Sequence, residues 1–206
     1  MSRLAARAVA FLLVVLLVGA AAQATLAYTP DERPSLGRGQ IDRPANGSTV
    51  VGVQGFHLDG TGNAKKPPRL VSVAPNGNTR WVHNGTKNGT SWFYDVDPLE
   101  NGNLLVTSIR RGETVVYELD PETDERVWVQ RLDIEDTHDV DMLPNGNLLV
   151  ANMRNYDDGV SDDRVFVYDR RNDTVVWEWV VREHFPNDTD GGFNADWTHV
   201  NDVDPV

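Results

Sequence analysis

The sequence predicts an all-β protein, a β-propeller of four-stranded blades, and three observations predict it. The first is a repeated phrase. Residues 94–106 read YDVDPLENGNLLV, residues 138–150 read HDVDMLPNGNLLV, and residues 201–206 open the phrase again with NDVDPV. The second is the recurrence of Trp81, Trp128 and Trp177 at a spacing in the high forties, about one blade. The third is a succession of short apolar runs divided by Asn-Gly, Pro and Asp turns. A regular β-sandwich uses similar strands but would not repeat so long a phrase.

The elements follow in chain order. A weaker copy ends in a strand at 69–73, a turn at Asn76-Gly77, and a strand at 79–82 carrying Trp81. The next unit places strands at 96–99, 104–109, 114–119 and 126–131. Asn101-Gly102 reads as a type I′ hairpin turn, because both residues accept positive φ. Arg111-Gly112 and Pro121 to Asp124 supply the other turns. The last unit repeats this order at 140–143, 148–153, 165–168 and 175–181, with an acidic loop from Asp157-Asp158 to Asp162-Asp163. The strands are apolar for several residues together, as in sheets covered on both faces. Residues 48–206 thus hold an incomplete propeller, roughly three blades plus the first strand of another, where closed rings need about four to eight. The missing blades come from a longer reading frame, from self-association or from another chain, and exposed blade faces and strand edges are expected.

Residues 1–24 read as an export signal or an N-terminal membrane anchor. Arg3 and Arg7 precede an apolar run from Ala8 to Ala22, and Ala22-Gln23-Ala24 fits a small-x-small cleavage site. Either reading places the remainder outside the cell or on its surface. Residues 25–47 read as a linker rich in Pro, Gly and charge. Five Asn-x-Ser/Thr sequons, at Asn46, Asn84, Asn88, Asn172 and Asn187, suit exported surface loops; Asn84, Asn172 and Asn187 also read as turn residues.

Bulk chemistry narrows the classes. The 206 residues carry a formal charge of -12, from 31 acids and 19 bases. That balance argues against nucleic acid, which needs a basic face. Dispersed acids suit a carboxylate-hydrated surface in high salt, a halophilic expectation, or an ordinary acidic secreted protein. The chain has no cysteine, which excludes disulfides, zinc-thiolate sites, iron–sulfur clusters and cysteine nucleophiles.

The first residue of the repeated phrase varies: Tyr94, His138, Asn201. In a propeller the first strands line a central channel, so these positions gather at one mouth. His199, two residues before Asn201, aligns with Asp136 and Trp92. Histidines at such a place serve as nucleophile or general base near neutral pH, although a lone histidine at a strand start more commonly bonds a carbonyl. Arg110 and Arg154 end the second strands of successive units; each suits a sulfate or phosphate oxygen pair or an inter-blade ion pair. The Asp-Val-Asp pairs read as structural bonds between blades, and the tryptophans as packing between blades. The acidic loop and Asp188 to Gly191 lack calcium-ligand spacing and read as solvated, so no metal is expected. His57, His83 and His184 follow no pattern.

These residues resemble a known family. His138-Asp139 followed by Leu143-Pro144-Asn145-Gly146-Asn147-Leu148-Leu149-Val150, and Glu183-His184-Phe185-Pro186 leading to Asp196-Trp197-Thr198-His199-Val200-Asn201, are similar to repeated motifs of aryl-sulfate sulfotransferases. The resemblance covers about residues 92–206. It implies an exported β-propeller that moves a sulfo group from an aryl sulfate ester to a phenol through a sulfohistidine, without a nucleotide donor or other cofactor. It assigns His138 and His199 as candidate catalytic residues and Asn201 and Arg154 to the sulfate, with Tyr94 standing where the family pattern has histidine. A non-catalytic exported module for recognition or assembly is the alternative reading, since Leu119 to Trp128 also resembles quinoprotein-type blades. A quinone-cofactor dehydrogenase fits least, because the adjacent cysteine pair of part of that family is absent.

Overall fold

Three antiparallel sheets, stacked in chain order, account for the computed structural model. It describes residues 46–54, 67–110, 112–153, 156–157, 160–189, 192–193 and 197–206. The export segment 1–24, the linker to residue 45, His57, Arg111, Arg154, Asp158, the Asp190-Gly191 pair and Asp196 lie outside the described residues. No helix among the described residues is long and apolar enough to cross a membrane.

The first sheet joins β1 (Thr49–Val53), β2 (Arg69–Val73) and β3 (Thr79–Asn84), and a short 3-10 helix, η1 (Gly85–Asn88), follows it. The second joins β4 (Trp92–Pro98), β5 (Leu104–Arg110), β6 (Glu113–Asp120) and β7 (Glu125–Leu132) as a meander. The third joins β8 (Thr137–Met142), β9 (Leu148–Asn152), β12 (Arg164–Asp169) and β13 (Thr174–Val180). A small hairpin of β10 (Tyr156–Asp157) and β11 (Val160–Ser161) interrupts it, and η2 (Val181–His184) follows it. Neither β1 nor this hairpin is among the strands expected from sequence.

The Asn-Gly turns form, but not as type I′. Leu99 N–H donates to the Asn103 carbonyl and Gly102 N–H to the Leu99 carbonyl. The same pair of bonds recurs around Ala74–Asn78 and Leu143–Asn147. Only the glycines have positive φ, +82° at Gly77, +87° at Gly102 and +85° at Gly146. This is a three-residue loop, a type I turn closed by a left-handed glycine. Pro75 and Pro144 hold φ negative at the first turn position, which a type I′ turn forbids. The preceding Asn caps the turn: Asn76, Asn101 and Asn145 accept from the backbone N–H two residues on, at 3.0–3.1 Å.

Packing explains the apolar runs. Leu104, Val106, Val115, Tyr117 and Leu119 meet Leu70 and Phe93 on one side of the second sheet. Leu105, Val116 and Leu132 meet Val140, Leu148, Val150, Phe166 and Tyr168 on the other. β5 and β6 are therefore buried on both faces, and alternation is lost because neither face meets water. Trp81 and Trp128 pack against these two layers as expected, whereas Trp177 is 50% exposed.

Polar residues tie the sheets at matching places. His83 from β3 reaches Tyr117 Oη at 3.0 Å and Asp124 at 2.5 Å. Gln130 from β7 reaches Tyr168 Oη at 3.3 Å and Asp173 at 3.5 Å. Asp124 and Asp173 both adopt left-handed backbone, with φ of 60° and 55°. His83 and Gln130 thus hold matching places and reach matching aspartates, but their tyrosine partners differ: Tyr117 lies opposite Val106 and Tyr168 opposite Leu148, two residues apart in the repeat.

Candidate active site

The strands that bear Tyr94 and His138 each carry one extra residue. On β4, Phe93 pairs with Ser108 and Asp95 with Thr107, so Tyr94 is skipped. On β8, Thr137 pairs with Asn152 and Asp139 with Ala151, so His138 is skipped. Each is the extra residue of a β-bulge, a device that re-aims one side chain without disturbing the ladder beyond it. Both strands begin earlier than the sequence suggested, at Trp92 and Thr137, so these residues lie within the strands rather than ahead of them.

The bulges bring the two rings together. Tyr94 stacks on His138 with centroids 4.4 Å apart and planes at 26°. Trp92 stacks behind Tyr94 at 5.4 Å. His199 meets His138 edge-on at 5.2 Å and 74°. His138 Nδ1 lies 2.8 Å from Asn201 Oδ1, and Asn201 Nδ2 donates to the His199 carbonyl at 3.4 Å. With the amide so oriented, Nδ1–H donates and the imidazole lone pair sits on Nε2. Tyr94 Oη donates to Asp136 at 3.4 Å, where Asp136 adopts φ of 49°. Tyr94, His138, His199 and Asn201 therefore form one half-open cluster. Arg110 ends β5 in an ion pair with Glu113, Nε to Oε2 at 3.4 Å.

His199 and Asn201 ride on a segment fixed by Asp163, Asp139 and Trp197. Val200 N–H donates to Asp163 at 3.1 Å, Val203 N–H to Asp139 at 2.8 Å, and Trp197 Nε1 to the Ser161 carbonyl at 2.8 Å. Ser161 Oγ donates to Asp163 at 2.7 Å, and Arg182 pairs with Asp162 at 2.8 Å. Asp162 and Asp163 are buried, which corrects the expectation of a solvated loop. Asp163 is buried where it anchors backbone and Asp162 where it meets Arg182, and an acid run in sequence does not disclose that. Phe185 and Phe193 flank the Trp197 ring, at 5.8 and 4.5 Å, and His184 stacks on Trp179 at 4.7 Å. The two halves of the second family-like motif thus touch through Phe185 and Trp197.

Beneath the cluster lies a carboxylate group. Asp95, Asp97 and Asp139 place three oxygens within 4.8 Å of one another, a set able to hold a hard cation. Burial, reinforced by Asp97, pushes Asp95 up to about 8. Burial also raises Asp139, to about 6, against the Val203 N–H bond. The Asp139–Val203 bond accords with a structural reading of the Asp-Val-Asp pairs.

Fold and site define an all-β protein of repeated antiparallel sheets with an aromatic–imidazole cluster at their first strands. Residues 53–205 match the family described as Arylsulfotransferase (ASST). The chain belongs to the arylsulfotransferase family. A comparison with curated proteins matches none.

Proposed function

We propose that the protein moves a sulfo group from an aryl sulfate ester to a phenol through a sulfohistidine, with His138 as the nucleophile. The observation that carries this reading is the His138 Nδ1 to Asn201 contact at 2.8 Å. A donated Nδ1–H leaves Nε2 to attack sulfur. An N–S bond forms as the S–O(aryl) bond breaks, and the phenolate takes a proton as it leaves. The acceptor phenol gives up its proton, its oxygen attacks the same sulfur, and Nε2 regains its lone pair. His199, edge-on to His138, is placed to pass these protons. Tyr94 and Trp92 offer an aromatic wall beside the imidazole. Arg154 binds sulfate oxygens in this reading, and Arg110 holds Glu113 across the β5–β6 ladder of its own sheet.

The sheets serve as blades of a propeller, with the cluster at the mouth of its channel. Residues 1–24 deliver or anchor the chain outside the cytoplasm, and the net charge keeps its surface hydrated in high salt.

Incubation with an aryl sulfate followed by intact-mass measurement tests the chemistry. One added sulfo group is expected, lost on adding phenol and absent in His138→Ala. Transfer at unchanged rate in both His138→Ala and His199→Ala would sink the proposal.

A further inference from the structure

Thr114 and Asp163, at the starts of β6 and β12, occupy equivalent places in successive sheets. The registers establish this. Val116 and Val165 lie opposite Thr107 and Ala151, which in turn lie opposite Asp95 and Asp139. Two residues before those valines stand Thr114 and Asp163, both 0% exposed. Thr114 pairs with Leu132, and at the corresponding place the Asp163 carbonyl accepts from Val181 N–H at 2.9 Å.

Each residue grips the chain where it enters the next copy of the repeated phrase. Thr114 Oγ1 donates to the Ile134 carbonyl at 3.0 Å and lies 2.9 Å from Thr137 Oγ1. Thr137 directly precedes His138. Asp163 accepts from Val200 N–H at 3.1 Å, and Val200 directly precedes Asn201. His138 and Asn201 hold the variable place of the phrase, so each is aimed from one position in the sheet before it. The gripping residue suits what it grips. Thr137 brings a hydroxyl and is met by a hydroxyl, whereas Val200 offers its backbone N–H and needs an acceptor.

The Asp163 carboxyl is itself fixed. Its Oδ1 accepts from Ser161 Oγ at 2.7 Å, and Ser161 is also fully buried. The Ser161 carbonyl accepts from Trp197 Nε1 at 2.8 Å. Residues 161–163 therefore hold the chain on both sides of His199, at Trp197 and at Val200. From Val200 the path continues to Asn201, whose Oδ1 lies 2.8 Å from His138 Nδ1.

We infer that Asp163 is a positioning residue: it sets His199 and Asn201 and, through Asn201, keeps the proton of His138 on Nδ1. It acts through these residues and not on the substrate. Its effect on rate rests on the sulfo-transfer reading, whereas its effect on the imidazole proton does not.

Two substitutions in the full-length chain, with isotopically labelled histidine, test this. Asp163→Asn keeps an acceptor for Val200 and turns an amide N–H toward Ser161 Oγ, which can accept it; Asp163→Ala keeps neither bond. Two-bond proton–nitrogen NMR reads which nitrogen of His138 carries the proton, with signals assigned by His138→Ala. The Nδ1–H form should dominate in the unsubstituted chain and in Asp163→Asn, with sulfohistidine formation agreeing within about threefold. Asp163→Ala should show both tautomers and slow that formation on the order of 100-fold. A purely structural Asp163 would lower Tm without moving the tautomer, so unchanged tautomer populations in Asp163→Ala overturn the inference. If that variant fails to fold, Ser161→Ala, which frees one carboxyl oxygen, must show the same shift in smaller measure, and an unmoved His138 overturns the inference there. An adduct that the unsubstituted chain never forms sinks sulfo transfer alone. An adduct formed equally fast by the unsubstituted chain and Asp163→Ala sinks the positioning role alone.

Discussion

His138 Nδ1 and Asn201 Oδ1 meet at 2.8 Å across 63 residues of sequence, joining the third sheet to the segment that follows it. Asn201 orients the imidazole without charging it. Asn201→Ala should slow sulfohistidine formation on the order of 100-fold, measured by quenched mass spectrometry with saturating aryl sulfate. Asn201 is exposed, so stability should change by less than about 0.5 kcal/mol. A large drop in stability with unchanged adduct formation would make the contact merely structural.

Stability should fall as pH rises from weakly acidic to alkaline. Asp95 is raised to about 8 and Asp139 to about 6, first by burial and then by neighbouring acids. A raised carboxyl binds more protons folded than unfolded, so its contribution is full below the unfolded value near 4 and lost as pH passes the folded value. Asp95→Asn, which removes the titrating buried carboxyl, should flatten that decline and raise Tm at pH 8. After discounting for solvent screening, about 1 kcal/mol is expected, or roughly 2–4 °C. Thermal melts at pH 5 and 8 decide it; equal melting temperatures for the native chain would contradict the raised carboxyls.

Glu118 gives the opposite slope. Burial raises its pKa, but bonds from Asn103, Asn101 and Trp128 outweigh this and hold it below its usual value. Its contribution is present above the unfolded value of about 4.5 and lost as pH falls through the lower folded value. The bonds measure 2.5, 2.9 and 2.6 Å, and Arg170 lies over the Trp128 ring at 3.4 Å. Glu118→Ala removes three bonds; exposed Asn101 can turn to water, whereas part-buried Asn103 and Trp128 Nε1 lose their acceptor, so it should cost about 1–3 kcal/mol in urea unfolding. A cost below about 1 kcal/mol would show the network to be dispensable.

The His83 bond should tolerate the residue its own repeat uses. His83→Gln should lose less than about 1.5 kcal/mol, because Gln130 at the matching place reaches the matching Asp173. His83→Ala should lose about 2–4 kcal/mol, since Tyr117 Oη loses its partner in a buried site. Equal losses in denaturant titrations would mean that His83 matters only for its volume.

Much of this was readable in advance where the signal was local or repeated. The Asn-Gly loops and the four strands around Leu104 and Leu148 follow from turn chemistry and apolar runs. The meeting of Tyr94, His138, His199 and Asn201 follows from one variable slot in a constant phrase. What escaped was long-range. β1 reads as polar-flanked chain because its pairing partner is β2, beyond an intervening stretch. The bulges at Tyr94 and His138 arise from ladder register, which no single strand encodes. Asp163 reads as a surface acid because its Val200 N–H partner lies 37 residues away.

The two-faced burial of β5 and β6 has a consequence for local opening. Their amides reach solvent only when the sheets on both sides have moved away, so they should be among the last to exchange hydrogen for deuterium. The β1 edge and β13, each with an open side, should exchange first. The middle sheet would then act as the cooperative centre of the chain, fraying from its two ends inward.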